Sequence, residues 1–138
     1  MLESAQTEIF VVDPYIGVGT LDCLRTIYAP VRLLTGAHSS SVESGFEAAL
    51  KAFQTEGHQI QVRQHAKLHG RHIVFNERCW LVGSSLKDAG RKAFHTMEII
   101  DSKAPVVADL EQKWIDASVY PPTPVAAPYL TTTMFRAF

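Results

Sequence analysis

No apolar run in these 138 residues approaches the ~20 that a bilayer span requires, so no membrane-crossing helix is expected. The start, Met1-Leu2-Glu3-Ser4, lacks the basic and apolar regions of a secretory signal, which points to a cytoplasmic chain. Cysteine is scarce. Cys23 and Cys79 are too few for a disulfide framework and too far apart for a zinc ribbon, so they read as thiols in a reducing compartment. Internal repeats are missing, so whatever unit the chain holds is present in one copy. Charge of one sign is missing too, with 13 basic against 14 acidic residues.

What is present is the composition of a folded domain: 46% hydrophobic and 20% charged residues. The even charge balance hides a division. Residues 61–95 hold seven basic and two acidic side chains, a net of +5, and the remainder is left at −6. Four of the six histidines, His65, His69, His72 and His95, share that window. Clustered positive charge attracts anions, phosphodiesters among them, although a solvated basic face has the same composition.

The hydrophobic pattern predicts an α/β fold: a mixed, mostly parallel β-sheet with helices on both faces. Glu8 to Asp13 reads as a buried strand stopped by Pro14, and residues 1–7 as the end of a helix leading into it. Leu21, Leu24 and Ile27 mark a helix that Pro30 ends, and Val31 to Thr35 is the next strand. Ser41 to Glu56 carries the apolar stripe Phe46, Ala49, Leu50 and Phe53. Gln59 to Arg63 alternates like a half-buried strand. His72–Phe75 and Cys79–Val82 read as a hairpin, Phe94 to Ile100 as an extended run, and Asp109 to Ala117 as a helix with Leu110, Trp114 and Ile115 inward. One domain is expected over 1–119. A tail rich in proline and threonine follows over 120–138, with Pro121, Pro122, Pro124 and Pro128.

The segment Leu68-His69-Gly70-Arg71-His72, followed by Gly83-Ser84-Ser85-Leu86-Lys87-Asp88, carries the chemistry. If His69 and Arg71 begin a strand, their side chains share a face, and the hairpin returns Gly83-Ser84-Ser85 beside them. By the same alternation His69 and His72 fall on opposite faces, which argues against a zinc site. A histidine, a guanidinium, hydroxyls and glycine-flanked amides together suit the seating of a phosphate and attack on it.

This spacing resembles the phospholipase D superfamily, whose signature runs His-x-Lys, four residues, Asp, six residues, Gly-Ser-x-Asn. His69 stands at the histidine, Arg71 at the lysine, Asn76 at the aspartate, Gly83 and Ser84 at the Gly-Ser pair, and Leu86 at the asparagine. The run Gly83-Ser84-Ser85-Leu86-Lys87-Asp88 is similar to a bacterial subgroup that also carries arginine at the position of Arg71. That subgroup opens on a strand followed by Asp-Pro-Tyr, as Asp13-Pro14-Tyr15 does here, and has Asp where Gly70 stands. The resemblance covers about residues 5–116. It implies a phosphodiesterase needing no metal and no cofactor, nuclease-like, with DNA and RNA among its phosphodiester substrates. His69 would be the nucleophile, Arg71 and Ser84 would hold the phosphate, and Glu98 would orient His69. Ser85, Lys87 and Asn76 would line the substrate. One motif per chain implies a homodimer with the site completed across a two-fold axis. The alternatives are a degenerate module that binds nucleic acid or another phosphorylated partner without cleavage, and a piece of a longer protein.

Overall fold

The computed structural model describes residues 2, 5, 7–91 and 94–122. Strand β1 (Ile9–Val12) is buried at every position because it is the middle strand of a seven-stranded sheet. It is followed by α1 (Val18–Leu24), β2 (Val31–Gly36), α2 (Phe46–Thr55) and β3 (Ile60–His65). Then come β4 (His72–Phe75), β5 (Arg78–Val82), β6 (Thr96–Ile99), α3 (Lys103–Asp116) and β7 (Ser118–Tyr120). The spatial order is β6-β5-β4-β1-β2-β3-β7.

The sheet is mixed, as the sequence predicts, but its balance is reversed. Among the described strands only β1–β2 and β2–β3 pair in parallel, and the other four pairings are antiparallel. The cause is the placement of β4. After β3 the chain crosses back to the free side of β1 and enters antiparallel to it, with His72 opposite Val12. The hairpin then adds β5 and β6 in alternating directions. Its two-residue turn, Asn76-Glu77, has both φ angles positive, at 50° and 61°, the primed geometry that matches strand twist.

Strand alternation sends β1 side chains to two cores. Ile9 and Val11 pack with Leu33, Ile73 and the inward faces of α1 and α2, namely Leu21, Leu24, Phe46, Leu50 and Phe53. Phe10 and Val12 pack with Leu34 and with Leu110 and Trp114 of α3 on the opposite face. Helices therefore cover both faces. Ile115, predicted inward, is 67% exposed, because the i, i+4 pair Leu110 and Trp114 sets the apolar stripe and Ile115 lies about 100° around from Trp114. Tyr120, the first residue of the predicted tail, is instead paired with Val62 and rests on Phe46. Residues 123–138 of that tail lie outside the described residues, as does most of the helical end predicted for 1–7. No helix among the described residues is long and apolar enough to cross a membrane.

Gly19 sets how closely α1 approaches the single helical turn Leu86–Asp88. A Cβ built on Gly19 would overlap the backbone carbonyl of Lys87. Gly19→Ala would gain up to about 1 kcal/mol of helix propensity. The overlap is with backbone, which cannot swing aside, and overpacking of that kind costs about 1–3 kcal/mol. The clash should win, and urea unfolding should show a net loss of stability.

Candidate phosphate-binding edge of the sheet

β1, β2, β3 and β5 point the same way, so their C-terminal ends share one edge with the starts of β4 and β6. That edge collects Asp13, His65, Arg71, His72, Ser85 and His95. It also contains the point where the chain changes sides, since β2 and β3 lie on one side of β1 and β4 on the other. Ligand crevices in open α/β sheets form at such a reversal, beyond the strand ends.

Asp13 occupies the reversal point and is 1% exposed. Its Oδ1 accepts from the Tyr15 amide at 3.0 Å, closing the turn that Pro14 begins, and from Ser85 Oγ at 2.9 Å. Its Oδ2 accepts from the Leu86 amide at 3.1 Å. Arg71 Nε donates to Ser85 Oγ at 3.0 Å and lies 3.6 Å from Asp13 Oδ1. Burial pushes the Asp13 carboxyl above the ordinary carboxylate value, outweighing the two amides, the hydroxyl and the Arg71 charge that favour its ionised form. The carboxylate ties the ends of β1 and β5 to the entry of β4 and fixes a guanidinium at their junction.

Arg71 is anchored through Nε alone. Its side chain is 31% exposed, and its terminal nitrogens have no partner among the described residues. It lines a shallow pocket of about 270 Å³ with Gly70, Gly83, His95 and Thr96. Lys87 is spoken for. Its Nζ lies 3.2 Å from Asp88 and 3.3 Å from Glu43, and Asp88 also accepts from Arg91 at 2.7 Å.

The other predicted site residues disperse. His69 and Arg71 do not share a face. Gly70 has φ of +151°, which interrupts the alternation before β4 begins at His72. His69 is exposed and lines a different groove, of about 320 Å³, between the strand ends and α3, and His72 lines it too. The prediction that His69 and His72 fall on opposite faces fails for the same reason. Even so, no group of three metal-ligating side chains forms among the described residues. Asn76 is at the hairpin tip, at the far end of β4 from Arg71, so strand length alone takes it out of the site. Glu98 faces Arg78, which donates to it at 2.8 and 2.7 Å. Those hydrogen bonds hold the Glu98 carboxyl below its ordinary value, and it is not a partner of His69. Ser84 is half-buried, and it is the neighbouring Ser85 that enters the buried cluster. Asp13 was legible only as part of the strand–Asp-Pro-Tyr opening. A buried carboxylate directly after an apolar strand and before proline was the available signal for its structural role.

No protein-family model and no curated protein matches this chain. Among solved structures it is similar to TrmBL2, described as an archaeal chromatin protein that shows a novel mode of DNA binding. The superposition has a TM-score of 0.50 at 20% identity and covers 84% of this chain. It covers 46% of TrmBL2, so this chain spans about half the length of that protein. At this identity the likeness is one of fold, a mixed α/β sheet with helices on both faces.

Proposed function

We propose that this chain is a binding module for the phosphodiester backbone of nucleic acid, acting at the Arg71 edge of the sheet without cleaving its ligand. The observation that carries this reading is the anchored guanidinium. Asp13 and Ser85 hold Arg71 by one nitrogen, its two terminal nitrogens have no partner among the described residues, and its part-exposed side chain lines an open pocket with Gly83 and His95. A planar donor fork held in place suits a phosphate, and little side-chain entropy is left to lose on binding. Much of the +5 window over residues 61–95 is paired in the fold, Arg78 with Glu98 and Lys87 and Arg91 with Asp88, so the attraction rests on Arg71 itself. The DNA-binding character of the structural neighbour, carried to this chain, agrees with the same partner. Cleavage through His69 in a two-chain site of phospholipase D type is the second reading. The exposure of His69 near the same edge favours it; the pairing of Glu98 with Arg78 does not.

Fluorescence anisotropy with labelled single- and double-stranded DNA over a salt series tests the first reading. Binding should weaken steeply with salt. Arg71→Ala should lower affinity at least about tenfold and reduce the salt slope by about one, and Arg71→Lys should retain part of the binding. Salt-independent binding, or an Arg71→Ala variant that binds like wild type, would sink the proposal. The same DNA incubated in EDTA should remain intact. Metal-independent cleavage that His69→Ala abolishes would establish the second reading instead.

A further inference from the structure

The groove between the strand ends and α3 is distinct from the Arg71 pocket, and nothing in the phosphate reading uses it. Its walls are largely apolar, with Val12, Leu68, Pro105, Val106 and Leu110. Its polar groups are few. The Lys113–Asp109 ion pair at 2.6 Å and His69 stand beside the half-buried imidazole of His72. His72 Nδ1 is buried without a hydrogen-bond partner among the described residues, an arrangement that costs free energy. A few polar groups in an apolar slot of about 320 Å³ is the make-up of a site for one small, flat molecule.

Gly70 connects the two features, because it lines both this groove and the Arg71 pocket. It is the residue that borders both, and it carries no side chain to stand between them. A Cβ there would stand 3.2 Å from His72 Cε1, and the φ of +151° disfavours any side chain. A polynucleotide chain places a base next to each phosphate, so a strand lying across Gly70 would bring a base to the groove as its phosphate reaches Arg71.

We propose that the α3 groove takes the unpaired base of a nucleotide whose phosphate lies on Arg71, making the chain a reader of single-stranded rather than duplex nucleic acid. This rests on the phosphate reading and adds to it. A base held in a duplex cannot enter the slot without leaving its stack, whereas an unpaired base is available for apolar and stacking contact. The neutral imidazole fits this role. Burial first, and then the Lys113 charge, hold His72 below its ordinary value, against the opposing pull of Asp109.

Two measurements separate this inference from the reading beneath it. In anisotropy, a single-stranded oligonucleotide should bind at least about tenfold more tightly than the same sequence as a duplex, and than a strand of equal length built from abasic sites. His72→Ala and Val106→Gln, both in the groove and outside the Arg71 pocket, should erase that preference while leaving the salt slope intact. Equal binding of the abasic and normal strands would overturn the base site and leave the phosphate site standing. In NMR titrations, free nucleosides, which carry no phosphate, should perturb amides of His72, Val106 and Leu110, including in Arg71→Ala. If no oligonucleotide binds at all, the phosphate reading falls, and the nucleoside titration alone decides the groove. No perturbation there overturns it.

Discussion

Asp13→Ala is expected to destabilise the protein by about 3–5 kcal/mol, read as a fall in the urea midpoint with little change in slope. The size follows from what the carboxylate satisfies. The Leu86 amide and the Ser85 hydroxyl both point at it in a buried setting, and Arg71 is anchored in part by its charge. Truncation leaves buried donors unpaired, and each one costs about 1–3 kcal/mol. Asp13→Asn should cost less, because one side-chain oxygen remains to accept. Its amide then faces Ser85 or Leu86 as a second donor, so some loss persists. An Asp13→Ala loss below about 1 kcal/mol would mean that the ends of β1, β4 and β5 are held together by packing alone.

The same residue gives a pH dependence of unusual sign. Most buried acids with hydrogen-bonded partners lose stability on acidification. Here burial outweighs the partners and raises the carboxyl above its ordinary value, which the unfolded chain retains. Between those two values the folded state holds a proton that the unfolded state has released. The contribution of Asp13 to stability therefore improves as pH falls through the folded value, and levels off near the ordinary carboxylate value of about 3.9. Asp13→Asn lacks this titration. The stability gap between wild type and Asp13→Asn should widen on acidification across that window. A gap that narrows would show that Arg71 and the two amides outweigh burial.

Local periodicity made much of the fold legible. The unbroken apolar run at β1, the stripe on α2 and the apolar pair around Asn76-Glu77 each announce their element. What periodicity cannot reveal is strand direction, and that is where the expected sheet was wrong. The direction of β4 depends on a long-range choice, the crossing back over β1, that no local pattern encodes. Pro105 concealed the start of α3, predicted six residues late. Proline is tolerated in the first helical turn, where its missing amide would be unpaired anyway. β7 was hidden because three residues at a sheet edge have too little alternation to distinguish them from the proline-rich stretch that follows.

The candidate site was legible in composition and not in geometry. Arg71 and the segment Ser84-Ser85 were marked by spacing, and the hairpin brings Arg71 and Ser85 together. Strand alternation through Gly70 would put His69 on the face of Arg71, but the chain bends at Gly70 and β4 begins only at His72. Asn76 and Glu98 were placed by motif spacing, which counts residues but carries no information on which end of a strand a residue occupies.

Trp114→Ala should match or exceed any other core truncation, at about 3–5 kcal/mol. The α1–α2 face has a broad core that shares its load among many side chains. The α3 face rests on Phe10, Val12, Leu34, Leu110 and Trp114. Trp114 meets Phe10 edge-on, with ring centres 5.7 Å apart. Arg63 lies 4.4 Å over the indole and donates to the Trp114 carbonyl at 2.9 Å. Arg32 lies 4.1 Å over Phe10 while it holds Glu111 of α3 with two bonds of 2.8 and 2.6 Å. Removing the indole opens a cavity under α3 and strips an aromatic partner from Arg63 and from Arg32, which also lies 5.3 Å over the indole. Ile115→Ala, one position along and exposed, should fall within about 0.5 kcal/mol of wild type and serves as the control. Hydrogen exchange should locate the damage, with α3 amides losing protection in Trp114→Ala before those of α2. Uniform loss across both helices would mean that the two faces of the sheet unfold as one unit. Loss confined to α3 would make its docking a separate step, and the groove it walls could then open without unfolding the sheet.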